Sequence, residues 1–108
     1  MGPLAVVETF KEYIDEGDLD GMLSLYGEKN ERQPLKRQNY AEMRPVMERY
    51  VRAWKGAPFI RGQVEVNDAE QVVYVRCKET SDLLKFYTRP YLGKWYISDL
   101  EVHSLPRW

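Results

Sequence analysis

Histidine and cysteine are almost missing from this chain, with one of each in 108 residues. A single cysteine, Cys77, cannot close an internal disulfide, so no disulfide framework holds the fold. That permits a reducing compartment without requiring one. A single histidine, His103, has no second histidine with which to share a metal. There is also no surplus of charge: 16 basic residues stand against 17 acidic ones, for a net charge of −1. A strongly basic nucleic-acid binder is therefore not the expected class. No apolar run approaches the ~20 residues that span a bilayer. No basic leader precedes an apolar stretch, so no signal peptide is visible. Internal repeats and low-complexity segments are absent.

What remains is enough for one domain with a real core: 44% hydrophobic and 13% aromatic residues. Met1-Gly2-Pro3 reads as a start methionine and a cloning scar, which leaves 4–108 as one domain. Leu105-Pro106-Arg107-Trp108 stops abruptly, as a domain cut from a longer protein would. A complete chain would be cytoplasmic, and an excised domain could come from an exported protein.

The first half has helical period. Val6, Val7, Phe10, Tyr13 and Ile14 form one apolar stripe, with Glu8, Lys11, Glu12 and Asp15 on the other side. Gly17 stops this helix in the left-handed conformation. Asp18 caps a second helix with Leu19, Met22, Leu23 and Tyr26 inward and Gly27 at its end. Glu28 to Gln38 reads as a loop with a short strand over Gln33 to Lys36. Asn39 and Glu42 resemble a capping box for a third helix through Met43, Val46, Met47, Tyr50, Val51 and Trp54. Pro45 implies a distorted first turn, and Gly56 and Pro58 end the helix.

Near Pro58 the period switches to two. Ile60, Gly62, Val64 and Val66 alternate with Arg61, Gln63 and Glu65. Val73, Val75 and Cys77 share the inner face of a second strand. Leu83 to Tyr91 and Trp95 to His103 follow, joined at Leu92-Gly93-Lys94. Trp95 and Ile97 have the opposite parity to Leu100 and Val102, so a bulge near Ser98-Asp99 is needed to turn all four inward. Short turns force antiparallel neighbours. The expected fold is α+β, with three N-terminal helices on a four-stranded antiparallel meander.

Residues Ala5 to Gly21, with the joint Gly17-Asp18-Leu19-Asp20-Gly21, resemble the opening of a nuclear-transport-factor-2-like domain, nearest its ketosteroid isomerase and SnoaL-like branches. Gly93 to Leu100 resembles that superfamily's last strand. The resemblance implies a curved sheet wrapped around helices into a cystatin-like cone. It says little about function, since members include isomerases, cyclases, dehydratases and non-catalytic modules. The isomerase's catalytic residues are not matched. Phe10 stands where the isomerases carry a donor tyrosine. The stretch Asn30 to Leu35 lacks the base aspartate, with only Glu31 nearby, and Phe86-Tyr87-Thr88 lacks the late-strand carboxyl. An oxyanion hole needs donors aimed into a dry cavity, so ketosteroid isomerase activity is not expected.

Other chemistry is sparse. His103 could pair with Asp99 or Glu101 as a general base, or it could be an exposed strand-end residue. Cys77 reads as a core residue. Phe10, Ile14, Tyr26, Tyr50, Trp54, Phe86 and Trp95, with Tyr87 and Tyr96, either pack the core or line a cavity for a flat apolar ligand. Arg32, Lys36, Arg37, Arg44, Arg49 and Arg52, interleaved with Glu31, Glu42 and Glu48, make a salt-bridged face or an anion patch. Arg61, Arg76 and Arg89 would form an outer-face ladder with Glu65. Tyr74, Arg76, Lys85, Tyr87 and Arg89 belong on the sheet face opposite the helices, where the resemblance implies a homodimer or a docked domain.

Two functions stay open. One is a non-catalytic ligand-binding or protein-interaction module, such as the accessory cones beside L,D-transpeptidases or in bacterial lipoproteins. The other is a small enzyme of isomerase, cyclase or dehydratase type, using Tyr26, Glu31, Asp99 or His103. No cofactor or metal is expected.

Overall fold

The computed structural model describes residues 2–104; Met1 and the stretch from Leu105 to Trp108 lie outside them. Three helices come first: α1 (Pro3–Glu16), α2 (Leu19–Ser24) and α3 (Tyr40–Trp54), with a 3-10 turn at Arg37–Asn39 before α3. Four strands follow: β1 (Ile60–Asn67), β2 (Glu70–Cys77), β3 (Asp82–Tyr91) and β4 (Lys94–Ser104). They pair antiparallel in the order β1-β2-β3-β4. The helices cover one face, which makes a two-layer α+β domain.

The joint between α1 and α2 forms as its residues dictate. Gly17 takes φ 70°, where a side chain would be strained, and closes α1 through its N–H to the Ile14 carbonyl at 3.1 Å. Asp18 Oδ1 accepts the Gly21 N–H at 2.9 Å and so caps α2. α2 is shorter than its pattern suggested and ends at Ser24. Tyr26 and Gly27 leave the helix because they make strand-like bridges, Tyr26 beside Ile97 and Gly27 opposite Pro34. The expected strand over Gln33 to Lys36 is only that bridge at Pro34, in a narrow hairpin that borders β4. Its bonds are Ile97 N–H to Leu25 O at 2.7 Å and Leu35 N–H to Tyr26 O at 2.8 Å.

The capping box at Asn39 does not form. Asn39 Nδ2 donates instead to Glu28 Oε1 at 2.6 Å, a partner eleven residues away that no local pattern reveals. A 3-10 turn at Arg37–Asn39 precedes α3, but the α-helix itself runs from Tyr40 to Trp54 with Pro45 inside it, so no distorted first turn marks the proline. Its missing N–H frees the Ala41 carbonyl. Both residues are exposed, so water can satisfy that carbonyl.

In the sheet, Val73, Val75 and Cys77 are buried beneath the helices. Tyr87 opposes Asp99 while Thr88 opposes Ile97, which leaves Ser98 as the extra residue of a bulge. This parity change puts Ile97 and Leu100 both in the core. Val102 shares the inner face with Leu84 but reaches past the helices and is 42% exposed. β1 departs from its expected alternation. Its register shifts between Arg61 and Val64, so Ile60 lies opposite Arg76 on the outer face, whereas Val64 opposes Val73 on the inner one. Arg61 opposes Val75 and so leaves the expected outer ladder.

The core is a chain of rings. Phe10 meets Phe86 edge-on at 5.9 Å, Phe59 meets Trp54 edge-on at 5.9 Å, and Tyr50 stacks on Trp54 at 5.0 Å. Contacts of this kind add about 0.5–1.5 kcal/mol each beyond area burial.

Candidate functional site

The outer face of the sheet has no helix over it, and the ladder assembles it row by row. Tyr74 lies opposite Lys85, which lies opposite Glu101; Val72 lies opposite Tyr87, which lies opposite Asp99; Arg89 lies opposite Tyr96. Polar contacts tie these neighbours. Tyr87 O–H donates to Glu101 Oε1 at 2.9 Å, and Lys85 Nζ stands 5.6 Å from the centre of the Tyr74 ring. Arg89 pairs with Glu70 at 3.2 Å, not with Glu65. Desolvation, helped by the bond to Glu101, pushes the Tyr87 hydroxyl up to about 12. The bonds from Tyr87 and His103 hold the Glu101 carboxyl below its ordinary range. Val72 is only 5% exposed although no helix lies over this face, because its neighbours close around it.

Three hollows lie elsewhere. The first, of about 330 Å³, lies between α1 and the start of β1, lined by Val7, Lys11, Phe59, Arg61 and Val75 among others. The second, of about 490 Å³, lies between Leu25, Pro34, Lys94, Trp95 and Tyr96. The third, of about 380 Å³, lies at the β4 bulge between Tyr26, Glu28, Met43 and Asp99. Phe10, Ile14, Trp54 and Phe86 are packed into the core and line none of the three. Tyr26 and Trp95 each line one, and Tyr50 lines none of them.

At the third hollow the Tyr26 hydroxyl lies beside the Tyr50 hydroxyl and near the Leu100 backbone. Burial, then the neighbouring Tyr50 and the charge of Asp99, drives the Tyr26 hydroxyl well above its ordinary value. Asp99 Oδ1 accepts the Leu100 N–H at 2.9 Å. Glu31 is exposed on the loop, where it accepts from Gln33 and pairs with Lys36 at 3.5 Å. His103 stands on the outer face, 3.3 Å from Glu101, and both are solvent-accessible. Glu31 thus sits on the loop before α3, while Asp99 and His103 sit four residues apart along β4.

In the basic cluster Arg44 reaches Asp20 at 2.6 Å, Lys36 reaches Glu31 at 3.5 Å, and Arg37 lies over the Tyr40 ring at 6.0 Å. Cys77 is buried. Among the described residues, no group of three His, Cys, Asp or Glu could hold a metal, and no helix is long and apolar enough to cross a membrane.

No protein-family model matches the chain, and no curated protein matches it. A solved structure does. It is a designed protein of the nuclear-transport-factor-2 type, similar at a TM-score of 0.63 over 93% of this chain and 95% of that one, with 13% sequence identity. The chain has the nuclear-transport-factor-2-like fold. That identity carries the cone architecture and nothing of function, so the function rests on the sheet face and the hollows.

The sequence pattern placed the outer-face residues. It missed the second hollow, because nothing local signals that the Gly27–Pro34 hairpin folds against β4. The one available hint was the aromatic pair Trp95-Tyr96 beside a tight turn.

Proposed function

We propose that this chain is a non-catalytic interaction module that pairs with a second copy of itself through the outer face of its sheet. The observation that carries the reading is the locked platform of Tyr74, Lys85, Tyr87 and Arg89, each tied to a neighbour before any partner arrives. Side chains already held in place lose little entropy on binding. Tyrosine and arginine are also enriched in interface cores. Arg76, Lys85 and Arg89 interleave with Glu65, Glu70 and Glu101, so a two-fold arrangement can set opposite charges against each other. A core packed with Phe10, Trp54 and Phe86 leaves the cone's centre to structure, which also favours an interaction role.

Sedimentation equilibrium at micromolar concentration tests this. The expected result is a species of twice the 12.8 kDa chain mass, converted to monomer by Tyr87→Glu. A wild-type monomer, or a dimer indifferent to Tyr87→Glu and Arg89→Glu, overturns it.

The enzyme reading keeps one observation, the Tyr26–Tyr50 hydroxyl pair beside Asp99 at an open hollow. Turnover of an enolisable ketone that is lost in Asp99→Asn would favour it.

A further inference from the structure

The helices do not close the inner side of β1. α1 packs against β2, β3 and β4, and Val64 and Val66, on the inner side of β1, remain exposed. The register shift between Arg61 and Val64 sets Arg61 opposite Val75, so a guanidinium stands on that same inner side. The 330 Å³ hollow opens here, between α1 and the start of β1.

Val7 and Val75 are its most buried lining residues, and the half-buried Phe59 joins them. The four charged lining residues divide into two sets. Lys11 and Asp15 satisfy each other: Asp15 accepts the ammonium and the Gly56 N–H, while Lys11 also reaches the Trp54 carbonyl at 3.4 Å and stands 5.0 Å from the centre of the Phe59 ring. Glu8 and Arg61 are exposed, and neither makes an ion pair among the described residues. The hollow therefore carries one unmatched carboxylate on α1 and one unmatched guanidinium on β1, beside an apolar lining.

We propose that this hollow binds a free apolar α-amino acid. Arg61 takes the carboxylate through its planar fork, Glu8 takes the ammonium, and the apolar side chain lies against Val7, Phe59 and Val75. A ligand with a carboxylate alone would leave Glu8 unmatched and repelling it, and one with an amine alone would meet Arg61 in the same way. A zwitterion answers both charges. The volume lies at the lower end of the range for small-molecule sites, which suits a ligand of this size. The site stands on the inner side of the sheet and the proposed dimer platform on the outer side, so either can fail without the other.

L-phenylalanine, titrated into the full chain and followed by backbone amide NMR, is the probe. Its controls are 3-phenylpropionate, which lacks the amine, 2-phenylethylamine, which lacks the carboxylate, and L-serine, which keeps both charges without the apolar body. Saturable shifts are expected at Val7, Glu8, Phe59, Arg61 and Val75, with a Kd below about 2 mM. Each one-charge control should bind at least about fivefold more weakly, the scale of one exposed charge pair, and L-serine about tenfold more weakly. Arg61→Gln and Glu8→Gln should each weaken L-phenylalanine about fivefold. Both side chains are exposed and unpaired, so the thermal midpoint of either variant should stay in place and a failure to fold cannot imitate the loss. The proposal is overturned by no saturable shifts up to about 20 mM, by a control that binds as tightly as L-phenylalanine, or by unchanged affinity in either variant.

Discussion

Gly27 and Tyr96 are in contact so close that any side chain at position 27 would force its neighbours to shift. A Cβ there would meet the Tyr96 ring at 2.9 Å, Ser98 Cα at 3.1 Å and the Ile97 carbonyl oxygen at 3.2 Å. Two of these three atoms are backbone of β4 and cannot step aside. Gly27→Ala should therefore push the 25–35 hairpin off the sheet edge. We expect a loss of about 1–3 kcal/mol, the usual cost of overpacking, measured by urea denaturation.

Trp54 closes α3 onto the sheet through one polar bond. Its Nε1–H donates to Asp82 Oδ2 at 3.1 Å, and the same oxygen accepts Thr80 Oγ1 at 2.5 Å. Asp82→Ala leaves the indole N–H of a buried tryptophan without its acceptor. The expected cost is about 1–3 kcal/mol, with a change in tryptophan fluorescence at the same site. A loss below about 0.5 kcal/mol would mean that water replaces the carboxylate without penalty.

The β3–β4 turn is built on an unfavourable residue. Leu92 has φ 48° and Gly93 φ 81°, the backbone of a type I′ turn. Leucine resists that conformation, and Leu92 is 88% exposed, so its side chain contributes no core packing in return. Leu92→Asn should raise stability by about 0.5–1 kcal/mol, read as a higher thermal midpoint with no change in the sheet's circular dichroism.

Asp15 links the end of α1 to the segment after α3, accepting the Gly56 N–H at 2.9 Å and the Lys11 ammonium. Burial raises its carboxyl pKa, but those two donors outweigh burial and hold it below 3.8. A lowered folded value stabilises the protein above the unfolded value and loses that contribution as pH falls through the folded one. Wild-type stability should therefore drop below about pH 4. In Asp15→Asn the drop should be shallower, from a lower plateau at neutral pH. Parallel acid limbs for the two proteins would show that Asp15 carries none of the effect.

The sequence alone determined the order of elements and much of the core. The switch in period at Pro58 separated helices from strands, and the β-branched parity of β2 put Val73, Val75 and Cys77 inside. The conflict in parity between Ile97 and Leu100 required the bulge that Ser98 provides. These are local signals, because a helix stripe or a strand face is set by residues a few positions apart. Only the tertiary structure decided the choices between distant partners. Asn39 gives up its cap for Glu28, Trp54 finds Asp82, and a register shift in β1 moves Arg61 to the inner parity. Tyr96 is one of the aromatics that the sequence leaves to core or cavity, and a hairpin from earlier in the chain is what buries it, against Gly27. Which groups meet across such separations depends on how the layers pack, and a residue's own neighbours in sequence carry no record of that packing.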